Sequence, residues 1–168
     1  MRSIPINDYK YRNAFGEMIF DQVIVSVPDG WSNEENLENA DYSISATEIL
    51  RMERELALRF FKNQYRPILL GQRTITPDEL KAIQDILGVN RSDLGKLLGL
   101  HKASVTNIFK GKAMSPTLAN LIMERLGMEL GRPGSARLLL NGGTIPDEEE
   151  LASQEISRTR FGVPGHVA

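Results

Sequence analysis

Between Thr76 and Gly127 the chain alternates helix-start and helix-stop signals at short intervals, and this punctuation constrains its fold more than any other feature. "TPDE" (76–79) reads as a capping box with Pro77 at the first helical position, where a missing N–H costs nothing. Leu80, Ile83, Ile86 and Leu87 then repeat at helical spacing until Gly88. Asn90 is placed to cap a second helix through Leu98, stopped by Gly99. A third runs from about Lys102 to Lys110, ahead of Gly111. Ser115-Pro116 opens a fourth that carries Leu118, Leu121, Ile122, Arg125 and Leu126 and closes at Gly127, and "SARLLLNGG" (135–143) supplies a fifth. Helices of two or three turns are marginal alone, so they must pack on one another.

The second and third of these helices, separated by a glycine-led turn, spell a helix-turn-helix. In that motif the second helix of the pair lies in the DNA major groove, with a polar outward face and a few apolar residues inward. The segment divides accordingly. Val105, Ile108 and Phe109 are assigned inward, and Lys102, Ala103, Thr106 and Asn107 outward; Leu94, Leu97, Leu98 and Leu100 provide the complementary apolar surface. Gly95 inside a helix costs about 1 kcal/mol relative to Ala, and a close approach of the two helices would offset that.

Charge supports the same placement. The chain as a whole carries a formal net charge of −2, which does not announce a polyanion binder. Residues 91–112, however, hold Arg91, Lys96, Lys102, Lys110 and Lys112 against Asp93 alone. Lys102 can donate to guanine O6 or N7, and Asn107 can pair bidentately with adenine. Each of these residues taken singly is equally compatible with a solvated helix surface; their joint placement around a glycine-stopped turn favours DNA.

The landmarks "LGVNRSDLGKLLGL", "KASVTNIFKGK", the proline after "GKAMS" and "LG…RLLLNGG" resemble the Xre / lambda-repressor-like helix-turn-helix family over about residues 75–143. The resemblance implies a five-helix domain that binds operator DNA as a homodimer. It places base contacts at Lys102, Ala103, Thr106 and Asn107, and phosphate contacts at Asn90, Arg91, Lys110 and Lys112. Ser104 joins the phosphate group on the chemistry of its hydroxyl. Two positions depart from the family pattern: Arg91 stands where Gln is usual, and Phe109 where Glu is common.

The amino-terminal half reads differently. Residues 1–14 are polar and unpatterned, as a flexible arm would be. Ile19, Val23, Val25 and Val27 fall on alternate positions of a β-prone stretch that ends in the turn signal Pro28-Asp29-Gly30. Trp31 reads as a local anchor beside that turn, and residues 32–43 as an acidic loop. "SATE" (45–48) is a second capping box, from which Ile49, Met52, Leu56 and Phe60 form one helical stripe. That helix is expected to end before Pro67. The layout over 15–73, a small β-hairpin plus an amphipathic helix ahead of "TITPDELKAI", resembles MqsA-type antitoxins without the zinc-ribbon cysteines. It suggests dimerisation or toxin binding through this half. Residues 144–168 read as a mobile acidic tail.

The expected class is therefore mainly α, with a small β-containing amino-terminal region and a long helix leading into a five-helix domain. With no cysteine and only two histidines, His101 and His166, disulfides, thiol catalysis and a metal site are not expected, and no cofactor is. Neither a phosphate-binding glycine loop nor a nucleophile with an evident base is present, so catalysis is not expected either. "MRSIPINDYKYRN" lacks the apolar core of a secretory signal, which suggests a cytoplasmic protein. Two functions fit: an autoregulating, antitoxin-like repressor on double-stranded operator DNA, or a partner-binding adaptor whose helix-turn-helix no longer binds DNA.

Overall fold

The computed structural model describes residues 1–31 and 42–142. The chain separates into two compact units, 1–60 and 61–168, with the division inside a single long helix. The acidic tail expected over 144–168 and most of the acidic loop lie outside the described residues. Among the described residues no helix is long and apolar enough to cross a membrane.

The first unit is a three-stranded antiparallel sheet in the order β1-β2-β3 followed by a helix: β1 Arg2–Asn13, β2 Gly16–Val27, β3 Ser43–Ile44 and α1, which begins at Ala46 and runs to Leu69. The flexible arm expected over 1–14 is instead a full strand, paired with β2 from Arg2↔Val27 to Asn13↔Gly16. Its pattern escapes a period-2 reading because the alternation changes phase midway. Ile4 and Ile6 turn inward on one side of Asp8, Tyr9 and Tyr11 on the other. Asp8 itself takes a left-handed backbone, φ 54°, a conformation that Asp tolerates better than most side chains. β2 changes phase opposite, from Met18 and Phe20 to Val23, Val25 and Val27, so the register is unbroken. The same switch leaves Ile19 60% exposed, contrary to its expected place in the apolar row.

Ile6, Phe20, Val23, Val25, Val27 and Trp31 form one core with Met52 of α1. Leu56 and Phe60 of the expected stripe are also buried, and Phe60 lies 4.7 Å from the Phe15 ring, while Ile49 stays 38% exposed. Trp31 anchors the turn as expected: its N–H donates to the Pro28 carbonyl at 3.0 Å, and Arg2 stacks over its ring and donates to its carbonyl.

Helix α1 also closes the open edge of β2. The Ile24 N–H donates to Glu48 Oε2 at 2.8 Å, Arg51 donates to the Gln22 carbonyl at 3.0 Å, and Arg59 to the Glu17 carbonyl at 2.7 Å. Backbone groups that an edge strand would otherwise leave unpaired are thereby satisfied. Because Ile24 turns its N–H to Glu48, its partner Pro5 has no ladder bond to supply there. The capping box at 45–48 is half formed: Ser45 Oγ accepts from the Glu48 N–H at 3.1 Å, but the Glu48 carboxylate is taken by Ile24 and Arg51.

Two expected helix ends are corrected. α1 continues through Pro67 to Leu69 and finishes at Gly71, φ 72°. A proline inside a helix costs about 3 kcal/mol, but here only a short segment follows it. Ile68, fully buried, contributes an apolar burial of about 1.5–3 kcal/mol that offsets much of the loss. The fourth helix of the second unit also passes its expected stop at Gly127, because that glycine faces the Phe61 ring within the helix rather than ending it.

The second unit, from Phe61 on, holds the five expected helices: α2 Pro77–Leu87, α3 Arg91–Leu98, α4 Lys102–Phe109, α5 Pro116–Gly131 and α6 Ser135–Leu140. Their caps follow the sequence. Thr76 and Glu79 form a complete capping box, Asn90 and Ser115 cap α3 and α5, and Gly88 and Gly99 close α2 and α3 in left-handed geometry. The core gathers Leu80, Ile83, Leu94, Ile122, Met123 and Leu126, all essentially inaccessible to solvent. Polar tethers fix the frame: Arg125 donates to the Leu97 carbonyl at the end of α3, and Arg137 to the Gly88 carbonyl at the end of α2.

Candidate nucleic-acid interface

Helices α3 and α4 are joined by a turn that needs glycine twice. Gly99 adopts φ 68°, and its N–H and that of Leu100 close back onto α3, Leu100 donating to the Gly95 carbonyl at 2.8 Å. Gly95 then lies against the Leu100 carbonyl and Val105, with no room for a β-carbon. The close approach expected to justify a glycine inside α3 is present.

This contact sets the orientation of α4. Val105 and Ile108 are buried on one side of it. At 3.6 residues per turn, positions 103, 106 and 107 fall on the opposite side, with 102 at its edge next to Val105. Lys102, Ala103 and Asn107 are exposed there and Thr106 is half-buried, so the four residues assigned to base contact share one face. Ser104 is half-buried on the flank beside Ile108 and does not share it. His101 occupies the N-cap position with extended backbone but makes no side-chain cap bond.

The residues assigned to phosphate divide into two kinds. Lys110 and Lys112 are exposed at the end of α4, where the Lys112 N–H returns to the Asn107 carbonyl at 3.1 Å. Asn90 spends its side-chain oxygen on capping: Oδ1 accepts the Asp93 N–H at 2.8 Å, which leaves only its amide N–H₂ for a ligand. Arg91, the first residue of α3, reaches across to α4 and lays its guanidinium over the Phe109 ring, 4.4 Å from the centroid. Phe109 is thus half-buried beneath a cation instead of facing the core. Arg91 and Phe109, from two different helices, are in contact with each other. Sequence reasoning missed this pairing; its signal is a cation at the start of α3 and an aromatic residue at the end of α4.

Lys10, Arg51, Arg73, Lys81 and Lys96 each have a carboxylate within salt-bridge distance. Among the described residues Arg91, Lys102, Lys110 and Lys112 are in no ion pair, nor are Arg2, Arg12, Arg59, Lys62, Arg66, Arg125 and Arg137; what sets the four apart is that they gather on one short motif. No group of three or more His, Asp or Glu able to hold a metal occurs among the described residues. Comparison with protein-family models, curated proteins and solved structures finds no match to the chain.

Proposed function

We propose that the chain is a sequence-specific DNA-binding transcriptional regulator, an antitoxin-like repressor that occupies its operator as a homodimer with α4 as the reading helix. The observation that carries this reading is the four cations Arg91, Lys102, Lys110 and Lys112, unpaired among the described residues, around the outward face of a helix held by a glycine-led turn. Such a face attracts the phosphate backbone through charge and presents Lys102 and Asn107 to base edges. A single α4 would read few base pairs, so two copies on half-sites about 34 Å apart supply the specificity. The amino-terminal unit is assigned to partner binding, with a toxin as the partner class.

A gel shift of the full chain on the DNA upstream of its own coding sequence, at two salt concentrations, tests the reading. Saturable retardation of that fragment over random duplex, weakening steeply with salt, is expected. Equal binding of both fragments would remove sequence specificity, and no retardation of either at low salt would leave the adaptor role as the function.

A further inference from the structure

We propose that Phe109 is a positioning residue for DNA backbone binding: its ring holds the Arg91 guanidinium flat, as a preorganised fork for one phosphate. The inference rests on the DNA-binding reading above and assigns to Phe109 a role that its apolar character does not announce.

Three observations converge on it. The guanidinium carbon lies over the ring, 4.4 Å from its centroid, a position in which a guanidinium parallel to the ring uses its face and keeps its in-plane N–H donors free. Those donors meet no carboxylate among the described residues. Arg91 is also the first residue of α3, at the positive end of the helix dipole. A cation there is disfavoured by the helix alone, whereas an anion is attracted both by the helix end and by the guanidinium. Asp93, in the same turn, is 3.9 Å from Lys96 and is not an ion-pair partner of Arg91. The contact therefore brings a guanidinium from α3 beside Phe109, the last residue of α4, which Lys110 follows directly in the chain.

A planar fork held in place binds a phosphate bidentately, with less loss of side-chain freedom than an unsupported arginine. The ring itself touches no DNA, so its contribution exists only while Arg91 is present.

The test uses the full chain and a random-sequence 30-base-pair duplex, because a phosphate contact is independent of sequence. Binding is measured over a salt series for the parent, Phe109→Leu, Phe109→Trp, Arg91→Ala and the double variant Phe109→Leu/Arg91→Ala, with thermal melts of each to verify folding. Phe109→Leu is expected to weaken binding about fivefold, while Phe109→Trp keeps parental affinity through its larger ring. Arg91→Ala should lower the log–log salt slope by about one unit. In that background Phe109→Leu should change nothing further. A fivefold loss on Phe109→Leu that persists undiminished without Arg91 overturns the proposal in favour of a packing role. So does parental binding by a folded Phe109→Leu, or a loss with Phe109→Trp equal to that with Phe109→Leu. A parent that binds no duplex at low salt overturns the DNA-binding reading itself, and this inference with it.

Discussion

A β-carbon on Gly95 would stand 2.7 Å from the carbonyl oxygen of Leu100 and 3.4 Å from Val105 Cγ2. The first obstacle is backbone, in the very turn that aims α4, and it cannot swing aside as a side chain can. At Gly127 the corresponding obstacle, 2.7 Å away, is the tip of the Phe61 ring. Similar distances therefore carry different consequences.

Gly95→Ala should destabilise the second unit. The helix-propensity gain of about 1 kcal/mol is outweighed by overpacking that typically costs about 1–3 kcal/mol, with the backbone obstacle placing it at the upper end. Differential scanning calorimetry should register a melting decrease of at least about 4 °C. Gly127→Ala in α5 gains the same propensity against the tip of a half-buried side chain that can swing aside about its Cα–Cβ bond, and should stay within about 0.5 kcal/mol of the parent. Equal effects of the two substitutions would show that the turn yields as easily as the ring.

Base reading and phosphate binding should separate within the candidate interface. Lys102→Ala or Asn107→Ala should each remove discrimination at one or two operator positions, by about 1–3 kcal/mol, with little change on random duplex. Lys110→Ala and Lys112→Ala should weaken all duplexes alike and lower the salt slope by about one unit each. Titrations of operator and random duplex at two ionic strengths distinguish the patterns.

The Glu129 carboxylate, 3% exposed, accepts the N–H of Gly134 at 2.5 Å and that of Ala136 at 3.3 Å. Gly134 has no side chain to cap α6, so a residue of α5 supplies the acceptor. Glu129→Ala should cost about 1–3 kcal/mol, the usual penalty for stranding buried donors. Glu129→Gln keeps one acceptor oxygen and should recover part of it. Urea unfolding of the three proteins reads the difference.

The amino-terminal unit should lose stability at both pH extremes. The hydrogen bond from Arg51, then that from the Ile24 N–H, hold the Glu48 carboxyl below its usual range. A depressed carboxyl stabilises the fold above its unfolded pKa, and that contribution is lost as pH falls through the folded value. The Ile24 amide shift should therefore titrate below pH about 4.3, and Glu48→Gln should abolish the titration. Burial, then the hydrogen bond to Glu53, push the Tyr11 hydroxyl up to about 12 from 10.0. A raised pKa stabilises below the unfolded value and is lost as pH rises through the folded one, so tyrosine absorbance should report this loss between those two values.

What the sequence determined by itself is the set of features whose physics is local. Thr76, Asn90 and Ser115 cap their helices through bonds to an N–H three residues on, and Gly88 and Gly99 close them where only a left-handed residue fits. These interactions span less than one turn, so residue type and spacing suffice to read them, and with them the five-helix unit and the outward face of α4. The tertiary structure alone decided the rest. Strand β1 is hidden by the phase change at Asp8, which a fixed period of two cannot follow and which becomes regular only against β2. Helix α1 passes Pro67 where burial of Ile68 offsets much of the cost of breaking a local rule. Glu48 leaves its own helix cap for the open edge of β2, and Arg91 crosses from α3 to Phe109 on α4. Each of these outcomes depends on a partner distant in the sequence, brought within a few ångströms only by the packing of whole elements.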